Sequence, residues 1–203
     1  MINPTHLPKI KDELIKVYKD EKIFKFLHLP VQSGNNEILK AMNRKYSAED
    51  FQNLVKEFRK HFPQLTLSTD LIVGFPGESE PQYWDTLNLV RQTSPDVLNI
   101  SKFWPRPKTP AAKIKHQVKG EEIKRRSTVL TNIFNNIARI QNEKWLNWEG
   151  EILINDQGKK EGQMVGRNFA YKQIVVEGKF NLGEKVKIRI DKVKGWDLRG
   201  KAI

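Results

Sequence analysis

Short apolar runs alternate with longer amphipathic segments in the first half of the chain. Residues 24–29, 67–73 and 96–103 are short and apolar, which is typical of buried strands. Around them, apolar residues recur every third or fourth position, which predicts helices that bury one face. The helical stripes comprise Ile10, Leu14, Val17 and Tyr18, then Ile38, Leu39 and Met42, then Phe51, Leu54, Val55 and Phe58, and finally Trp84, Leu87 and Val90. Strands that alternate with such helices predict parallel α/β units.

Two of the predicted helices have recognisable beginnings. Ser47 is followed three residues later by Asp50, and Ser79 is followed three residues later by Gln82. A serine hydroxyl and an acidic or amide side chain at this spacing satisfy the free N–H groups of the first helical turn. Both serines are therefore predicted helix caps.

The pattern changes in the last third of the chain. Residues 120–148 carry one long helical stripe, and short β-branched segments separated by Gly, Asn and Asp follow it. These segments are residues 151–154, 163–165, 173–177 and 185–190. Such spacing predicts a small all-β barrel. We expect two domains, residues 1–143 and 144–203.

Charge and composition narrow the classes of function. The formal net charge is +12 and the pI is about 9.8, an excess that favours a polyanionic partner such as nucleic acid. The chain has no cysteine, which excludes disulfides, thiolate catalysis and a cysteine-ligated cluster within it. The four histidines have no metal-ligand spacing, so no metal site is predicted. No apolar run approaches the roughly 20 residues of a membrane helix, and we expect a cytoplasmic protein without membrane partners.

Three loop-bearing segments together resemble one enzyme family. They are residues 28–34 (HLPVQSG) with 42–44 (MNR), residues 69–78 (TDLIVGFPGE), and residues 99–112 (NISKFWPRPKTPAA). In this order, before a basic β-domain, they resemble the radical-SAM tRNA methylthiotransferases, the MiaB/RimO-like group. The sequences of these segments are most similar to those of the archaeal and eukaryotic branch of this family, which acts on threonylcarbamoyladenosine. The carboxy-terminal part is similar to a TRAM domain.

The resemblance implies a fold and a cofactor site. The fold would be the last strands of a partial radical-SAM (TIM-like) barrel, followed by a small TRAM barrel. The implied S-adenosylmethionine site comprises Gln32, Ser33, Arg44, Asp70, Ile72 and Gly74. Gln32 and Ser33 would hydrogen-bond the ribose or amino-acid part, Ile72 would pack on the adenine, and Gly74 would allow close backbone approach. Asp70 would pair with Arg44 or touch the substrate. Each segment also has a simpler interpretation as a buried strand and its turn.

Two basic regions are candidate RNA contacts. Residues 102–126 hold nine Lys or Arg against two acids, and Trp104, Arg106 and Lys108 lie in a proline-stiffened loop there. Trp104 could stack on a base. In the second domain the candidates are Arg167 and Tyr171 in one loop, and Lys185, Lys187 and Arg189 along one strand. Alternation places the last three on one face. Solvated charge and a basic barrel that serves only as a lid are the simpler alternatives.

The resemblance implies part of an enzyme that adds a 2-methylthio group to N6-threonylcarbamoyladenosine beside the tRNA anticodon. It implies [4Fe–4S] clusters that this cysteine-free chain does not ligate. It therefore also implies a missing amino-terminal half, either a separate polypeptide or a part lost by truncation. No catalytic residue is assigned, and we expect no activity from the chain alone and an unpaired edge on the first strand. The alternatives are a non-catalytic tRNA-binding module with a degenerate barrel remnant, and an α/β-barrel enzyme acting on phosphorylated metabolites.

Overall fold

The first part of the chain is built on a parallel sheet of three strands. In this computed structural model, residues 1–194 and 197–203 are described, with only the backbone of Lys194. The strands are β1 (Phe26–His28), β2 (Thr66–Val73) and β3 (Val97–Lys102), in the order β1-β2-β3. All three predicted strands are present, although β1 is shorter than residues 24–29, and Pro30 limits it at its carboxyl end.

Five helices precede, connect or follow these strands. They are α1 (Leu7–Val17), α2 (Asn36–Ala41), α3 (Ala48–His61), α4 (Glu80–Thr93) and α5 (Gly120–Glu143), with a short 3-10 helix at Ala111–Lys113. The capping boxes predicted at Ser47 and Ser79 are confirmed: each hydroxyl accepts a backbone N–H at the third helical position, and that residue's side chain binds back. The apolar face predicted for α3 is buried.

The predicted faces of α1 and α4 are partly wrong. Ile10 and Val17 of the predicted α1 stripe are exposed, whereas Leu7 and Ile15 are buried. Leu7 and Ile15 lie about two helical turns apart and therefore share the face that meets the core. On α4, Trp84 is largely exposed while Leu87 and Val90 are buried. The periodicity identified the helices and part of each buried face, since Leu14, Tyr18, Leu87 and Val90 do pack in the core.

The helices pack on one face of the sheet. Alternate residues of β2, namely Leu67, Leu71 and Val73, are buried in the core that the helices form. The opposite face of β2 carries Asp70 and Ile72, which are half-buried. The sheet therefore has a covered apolar face and a more polar face without helices.

The outer edge of β1 is not wholly unpaired, contrary to expectation. The Ile2 N–H donates to the His28 carbonyl at 2.9 Å, and the Tyr18 hydroxyl donates to the Phe26 carbonyl at 2.8 Å. Residues before the first strand therefore satisfy two of its outward carbonyl groups.

The second part of the chain is a closed five-stranded barrel, as predicted. Its strands are β4 (Glu149–Gln157), β5 (Gln163–Arg167), β6 (Gln173–Glu177), β7 (Lys185–Lys194) and β8 (Asp197–Ala202), in the order β4-β5-β6-β8-β7. The first four strands were predicted and β8 was missed. β8 alternates Leu198 and Gly200 inward with Asp197 and Arg199 half-buried, so its sequence lacks a β-branched run.

One loop of the barrel packs against the amino-terminal ends of the parallel strands. The Lys172 ammonium lies 2.8 Å from the Asp96 carboxylate just before β3, and both side chains are buried. The Lys25 N–H donates to the Phe169 carbonyl at 2.8 Å just before β1. The barrel therefore lies at the end of the sheet opposite the loops that follow β1, β2 and β3.

In the part of the chain that the structure describes, no helix is long and apolar enough to cross a bilayer.

Candidate functional site

A hydrogen-bonded polar cluster crosses the helix-free face of the sheet. The Asp70 carboxylate on β2 accepts a hydrogen bond from the Asn99 amide on β3 at 2.7 Å, and its Oδ1 lies 2.8 Å from His28 Nε2 on β1. Asp70 and Asn99 are direct neighbours in the parallel register. Asp70 was predicted to pair with Arg44 or touch the substrate, and its observed partners are His28 and Asn99. Sequence reasoning left His28 out, because a histidine on a short strand is usually a packing residue.

Gln32 lies at the carboxyl end of the same sheet. Its N–H donates to the Asp70 carbonyl at 2.8 Å, and its carbonyl accepts the Ile72 N–H at 2.9 Å. The chain thus rejoins β2 after the interruption at Pro30, with Gln32 in the left-handed region at φ 74°. This backbone pairing brings the predicted site residues Gln32, Asp70 and Ile72 together.

Ser33 does not face this site, contrary to prediction. Its side chain is fully buried, and its Oγ lies 3.4 Å from the Thr86 hydroxyl of α4. The Oγ also accepts the Asn35 N–H at 3.2 Å, beside the beginning of α2. The Ser33 hydroxyl therefore fastens the loop to α4 and is not available to a ligand at the sheet end.

Arg44 carries a buried donor without a partner. Its Nε is buried and, among the described residues, has no hydrogen-bond acceptor. An unpaired buried donor on a guanidinium is costly and favours an anionic acceptor such as a carboxylate. The Arg44 donor, the Asp70 carboxylate as an acceptor and the polar side chain of Gln32 therefore suit the amino-acid and ribose groups of S-adenosylmethionine.

Gly74 is constrained by the protein itself, which corrects its predicted role. Its N–H donates to the Glu78 carboxylate at 2.9 Å, and its φ is 78°. A Cβ at this position would meet Cγ1 of Ile123 on α5 at 2.4 Å. The glycine thus permits close approach of a helix, not of a ligand that would need its N–H.

Sequence reasoning missed a charged network beside this turn. Glu78 and Arg126 form a buried ion pair at 2.9 Å, and Arg126 also binds Glu122 at 2.7 Å. Burial raises the pKa of the Glu78 carboxyl, although the Gly74 N–H and Arg126 oppose this shift. Hydrogen bonds from Arg125 and Arg126 lower the pKa of Glu122 to about 2. The sequence did contain one signal for this network, because Arg126 lies among the apolar residues of the long predicted helix.

The predicted RNA contacts after β3 are exposed at the same end of the sheet. Trp104, Arg106 and Lys108 all lie in solvent, in an irregular loop. Phe103, where the loop begins, packs edge-on against Phe75 with ring centroids 5.4 Å apart. The loop therefore borders the turn at residues 74–78.

The three basic residues predicted along one strand form an exposed stripe on β7, as expected. Lys185, Lys187 and Arg189 are exposed, while Val186, Ile188 and Ile190 between them point into the barrel. On neighbouring β4, Glu149 pairs in register with Arg189, and Glu151 with Lys187. The stripe is therefore flanked by two acidic residues, which reduce its positive potential.

Arg167 and Tyr171 lie where the barrel contacts the sheet, and their role as RNA contacts stays a prediction. The Tyr171 ring lies 5.0 Å from the Phe24 ring and 5.1 Å from the Phe26 ring, and the Arg167 guanidinium covers it at 4.5 Å. Arg167 also donates to the Tyr171 carbonyl at 3.1 Å. These groups pack against other parts of the chain on one side, while the Tyr171 side chain remains partly exposed.

Across residues 1–194 and 197–203, no group of three or more His, Cys, Asp or Glu side chains could hold a metal ion.

Comparisons with known proteins match both parts of the chain. The Radical SAM superfamily model matches residues 1–90, and the TRAM domain model matches residues 148–203. The structure of coproporphyrinogen III oxidase (HemN) from Escherichia coli, described as a radical SAM enzyme, aligns with a TM-score of 0.55 and 20% identity. The alignment covers 100% of this chain and 50% of that chain, and at this identity it supports the fold alone.

Curated relatives span the same two parts. A probable threonylcarbamoyladenosine tRNA methylthiotransferase of Pyrococcus abyssi is 46% identical over 91% of this chain and 44% of its own length. Its counterpart in Pyrococcus horikoshii is 45% identical over 100% of this chain and 47% of its own length. A tRNA-2-methylthio-N(6)-dimethylallyladenosine synthase of Acetivibrio thermocellus is 37% identical over 98% of this chain and 42% of its own length.

The chain spans about half the length of the curated relatives it matches. The two family models and the relatives agree with each other and with the parallel sheet and closed barrel described above. The chain therefore matches the Radical SAM superfamily and TRAM domain models, and over nearly its whole length it is similar to curated tRNA methylthiotransferases.

Proposed function

We propose that this chain is part of a tRNA methylthiotransferase that adds a 2-methylthio group to N6-threonylcarbamoyladenosine next to the anticodon, using S-adenosylmethionine. The observation that carries this proposal is the meeting of Gln32 and Asp70 at the carboxyl end of the sheet, together with an Arg44 Nε that lacks an acceptor among the described residues. The names of the archaeal relatives support the choice of nucleoside. A tRNA substrate places the activity in the cytoplasm.

The three strands are, in this proposal, the last part of a radical-SAM barrel whose other strands correspond to the unmatched half of the relatives. The polar face with half-buried His28 and Asp70 and exposed Asn99 would then face the barrel interior. The domain division is proposed at residue 143, where α5 ends, with residues 144–203 as the TRAM domain. The chain has no cysteine, so the [4Fe–4S] clusters of the family would be ligated by that other half.

The cofactor supplies a 5′-deoxyadenosyl radical when it is bound at a reduced cluster. This chain's residues bind and orient it: Arg44 donates to the methionyl carboxylate, and Ile72 packs against the adenine. Asp70, held by His28 and Asn99, accepts hydrogen bonds from polar groups of the cofactor or the nucleoside. Because both neighbours fix one carboxylate oxygen, the other oxygen is presented in a defined direction.

The tRNA would contact two surfaces in this proposal. One comprises Trp104, Arg106 and Lys108 at the carboxyl end of the sheet, and the other is the β7 stripe of Lys185, Lys187 and Arg189. Exposed cations on both surfaces can neutralise phosphates.

A chimeric enzyme tests the proposal. The unmatched half of the Pyrococcus abyssi relative is joined to this chain, the clusters are reconstituted without oxygen, and 2-methylthio nucleosides are measured by mass spectrometry. We expect modified tRNA from the chimera. Asp70→Asn should weaken S-adenosylmethionine binding in equilibrium dialysis by about tenfold, the scale of one charge-assisted hydrogen bond. Asp12→Asn, an exposed carboxylate on α1, is the matched control.

A chimera with full clusters and bound cofactor that leaves tRNA unmodified would contradict the proposed reaction. If that chimera still binds tRNA, the result would favour a non-catalytic tRNA-binding module.

A further inference from the structure

The segment between β3 and α5 is strongly and uniformly basic. We call residues 103–119 the basic arch. The arch contains Arg106, Lys108, Lys113, Lys115 and Lys119, all exposed, and no Asp or Glu occurs between residues 97 and 120. Like charges at this density repel each other, so the free arch is electrostatically costly and an anionic ligand would relieve that cost.

The arch has a fixed position in spite of its charge. The Phe103 N–H donates to the Val73 carbonyl at 2.8 Å, and the His116 carbonyl accepts the Gly77 N–H at 2.7 Å. Within the arch, the Gln117 side-chain amide donates hydrogen bonds to the carbonyls of Ala111 and Ile114. Both ends of the arch are therefore anchored to the strand and turn that border the candidate cofactor site.

The acidic residues nearest the anchored turn do not neutralise the arch. The Glu78 carboxylate is buried against Arg126, and Glu80 and Glu122 both bind Arg125 at 2.8 and 2.7 Å. These carboxylates are matched by arginines of α5, outside the arch. The positive potential of the arch is thus left for a partner.

Trp104 adds a feature that phosphate binding alone does not require. Its side chain is 79% exposed, more than any other aromatic side chain in the described ranges. An indole in solvent beside cations suits a base whose face is free, and within a continuous duplex the base faces are already stacked on each other. The other aromatic–arginine pair considered for RNA, Tyr171 with Arg167, packs against β1.

We propose that the basic arch is a binding surface for unpaired RNA, in which Trp104 stacks on an exposed base and the lysines contact the flanking phosphates. This inference deepens the proposed function, on which it rests for the identity of the partner as RNA. The arch would hold an unpaired segment at the carboxyl end of the sheet, beside the candidate cofactor site, and would discriminate against continuous duplex.

Fluorescence anisotropy with two labelled probes tests the inference on the full chain. One probe is an RNA hairpin with an unpaired loop of about seven nucleotides, and the other is a blunt duplex of the same stem. We expect tighter binding to the hairpin. Trp104→Ala should weaken hairpin binding by roughly 5- to 150-fold, equivalent to ~1–3 kcal/mol for one stacked base, and leave duplex binding within twofold.

Matched variants separate stacking from general effects. Trp84→Ala removes an indole that is 48% exposed on α4 and should change neither probe. Lys113→Ser/Lys115→Ser/Lys119→Ser should weaken the binding of both probes and lower the salt slope by up to about 2–3, because each of three phosphate contacts contributes ~0.7–0.9. Lys9→Ser/Lys16→Ser/Lys19→Ser removes three exposed cations from the α1 region and should leave the slope unchanged.

Several results would overturn the inference. They are equal affinity for hairpin and duplex, no binding of either probe at low salt, an unchanged hairpin affinity in Trp104→Ala, and equal effects of Trp84→Ala. Competition by polyglutamate as effective as by RNA would show a general anion surface and would also overturn it. None of these results depends on the chimera's catalytic activity, so failure here is distinguishable from failure of the proposed reaction.

Discussion

Lys172 and Asp96 form a buried ion pair, with the ammonium 2.8 Å from the carboxylate, between the barrel and the start of β3. Asp96 also accepts the Leu67 N–H at 2.9 Å, and Lys172 also donates to the Asn142 amide oxygen at 3.2 Å. The pair thus connects a barrel loop, the parallel sheet and the end of α5. A rigid connection of this kind makes the barrel a part of the sheet's support as well as a candidate RNA-binding domain.

Lys172→Met should destabilise the chain by about 3 kcal/mol, because it leaves the Asp96 carboxylate buried without its main counterion. Urea unfolding measures this difference. Lys201→Met removes an exposed ammonium 3.2 Å from Asp191 and should change stability by less than about 1 kcal/mol. Asp96→Asn/Lys172→Met should recover part of the loss. Equal unfolding midpoints for Lys172→Met and the wild type would contradict a stabilising role for the pair.

Tyr171→Ala should lower stability by about 1–3 kcal/mol, since it removes the ring packing on Phe24 and Phe26 and the cover of Arg167. Tyr171→Phe retains this packing and should be close to neutral. RNA affinity at constant salt should change by less than twofold in both variants. A large drop in RNA affinity in a fully folded Tyr171→Ala protein would restore the base-stacking interpretation.

The position of Tyr171 shows which features a single sequence can reveal. The capping boxes at Ser47 and Ser79 depend on residues three positions apart, and they were predicted correctly. The outward alternation of Lys185 and Lys187 depends only on strand geometry, and it was also correct. Tyr171, by contrast, packs against a residue more than 140 positions earlier, and no local pattern encodes that contact.

In the candidate cofactor site, too, the features that depend on local patterns were predicted and those that depend on tertiary contacts were not. Gln32, Asp70 and Ile72 meet because adjacent parallel strands end at one edge of the sheet, and parallel strands were predicted from the sequence. Ser33 and Gly74 were misassigned because their partners, Thr86 and Ile123, lie on helices whose approach depends on tertiary packing. The missed strand β8 has a polar, glycine-containing sequence, and its pairing with β6 and β7 determines its conformation.

Gly74→Ala should destabilise the chain more than Gly77→Ala. Both glycines have positive φ, 78° and 83°, so each alanine carries backbone strain of about 1–2 kcal/mol. Only at Gly74 would the new Cβ meet Ile123, at 2.4 Å, whereas nothing lies within 4 Å at Gly77. We expect an additional ~1–3 kcal/mol for Gly74→Ala in urea unfolding, and Ile123→Ala should reduce this increment in the double variant. Equal destabilisation at the two glycines would contradict close packing by α5.

Glu122→Gln should make the free energy of unfolding fall less steeply as the pH is lowered below about 5. The pKa of Glu122 is lowered to about 2 from its ordinary value of 4.5, so its ion pairs stabilise the fold above about pH 4.5. This contribution declines as the pH falls towards about 2, because the carboxylate is then protonated in the folded protein. The stability difference between wild type and variant should therefore be constant above about pH 5 and shrink below it.

Glu78 acts in the opposite direction in the same experiment. Its pKa is raised by burial, so protonation in the folded state favours folding as the pH falls through that raised value. Glu78→Gln should remove this gain in stability on protonation, so the free energy of unfolding should fall more steeply at acid pH than in the wild type. Glu121→Gln, in the same turn of α5 as Glu122, is the control and should track the wild type. A pH-independent difference for Glu122→Gln would rule out the network as the cause.

The β7 stripe should contribute to RNA binding less than its three cations suggest. Removing one phosphate contact lowers the slope of log affinity against log salt by ~0.7–0.9. If all three cations bound phosphates fully, the triple variant Lys185→Ala/Lys187→Ala/Arg189→Ala would therefore lower the slope by roughly 2 or more. Glu149 and Glu151 lie opposite the stripe on β4, and Lys185 is 3.8 Å from Glu151, so part of the positive potential is already neutralised. We therefore expect a reduction of about 1, measured by filter binding with tRNA between about 50 and 300 mM salt. Glu149→Gln/Glu151→Gln should steepen the slope, since it frees the stripe from its neighbours without adding a cation. If neither variant moves the slope, the barrel acts as a structural support for the sheet, and the RNA contacts belong to the basic arch.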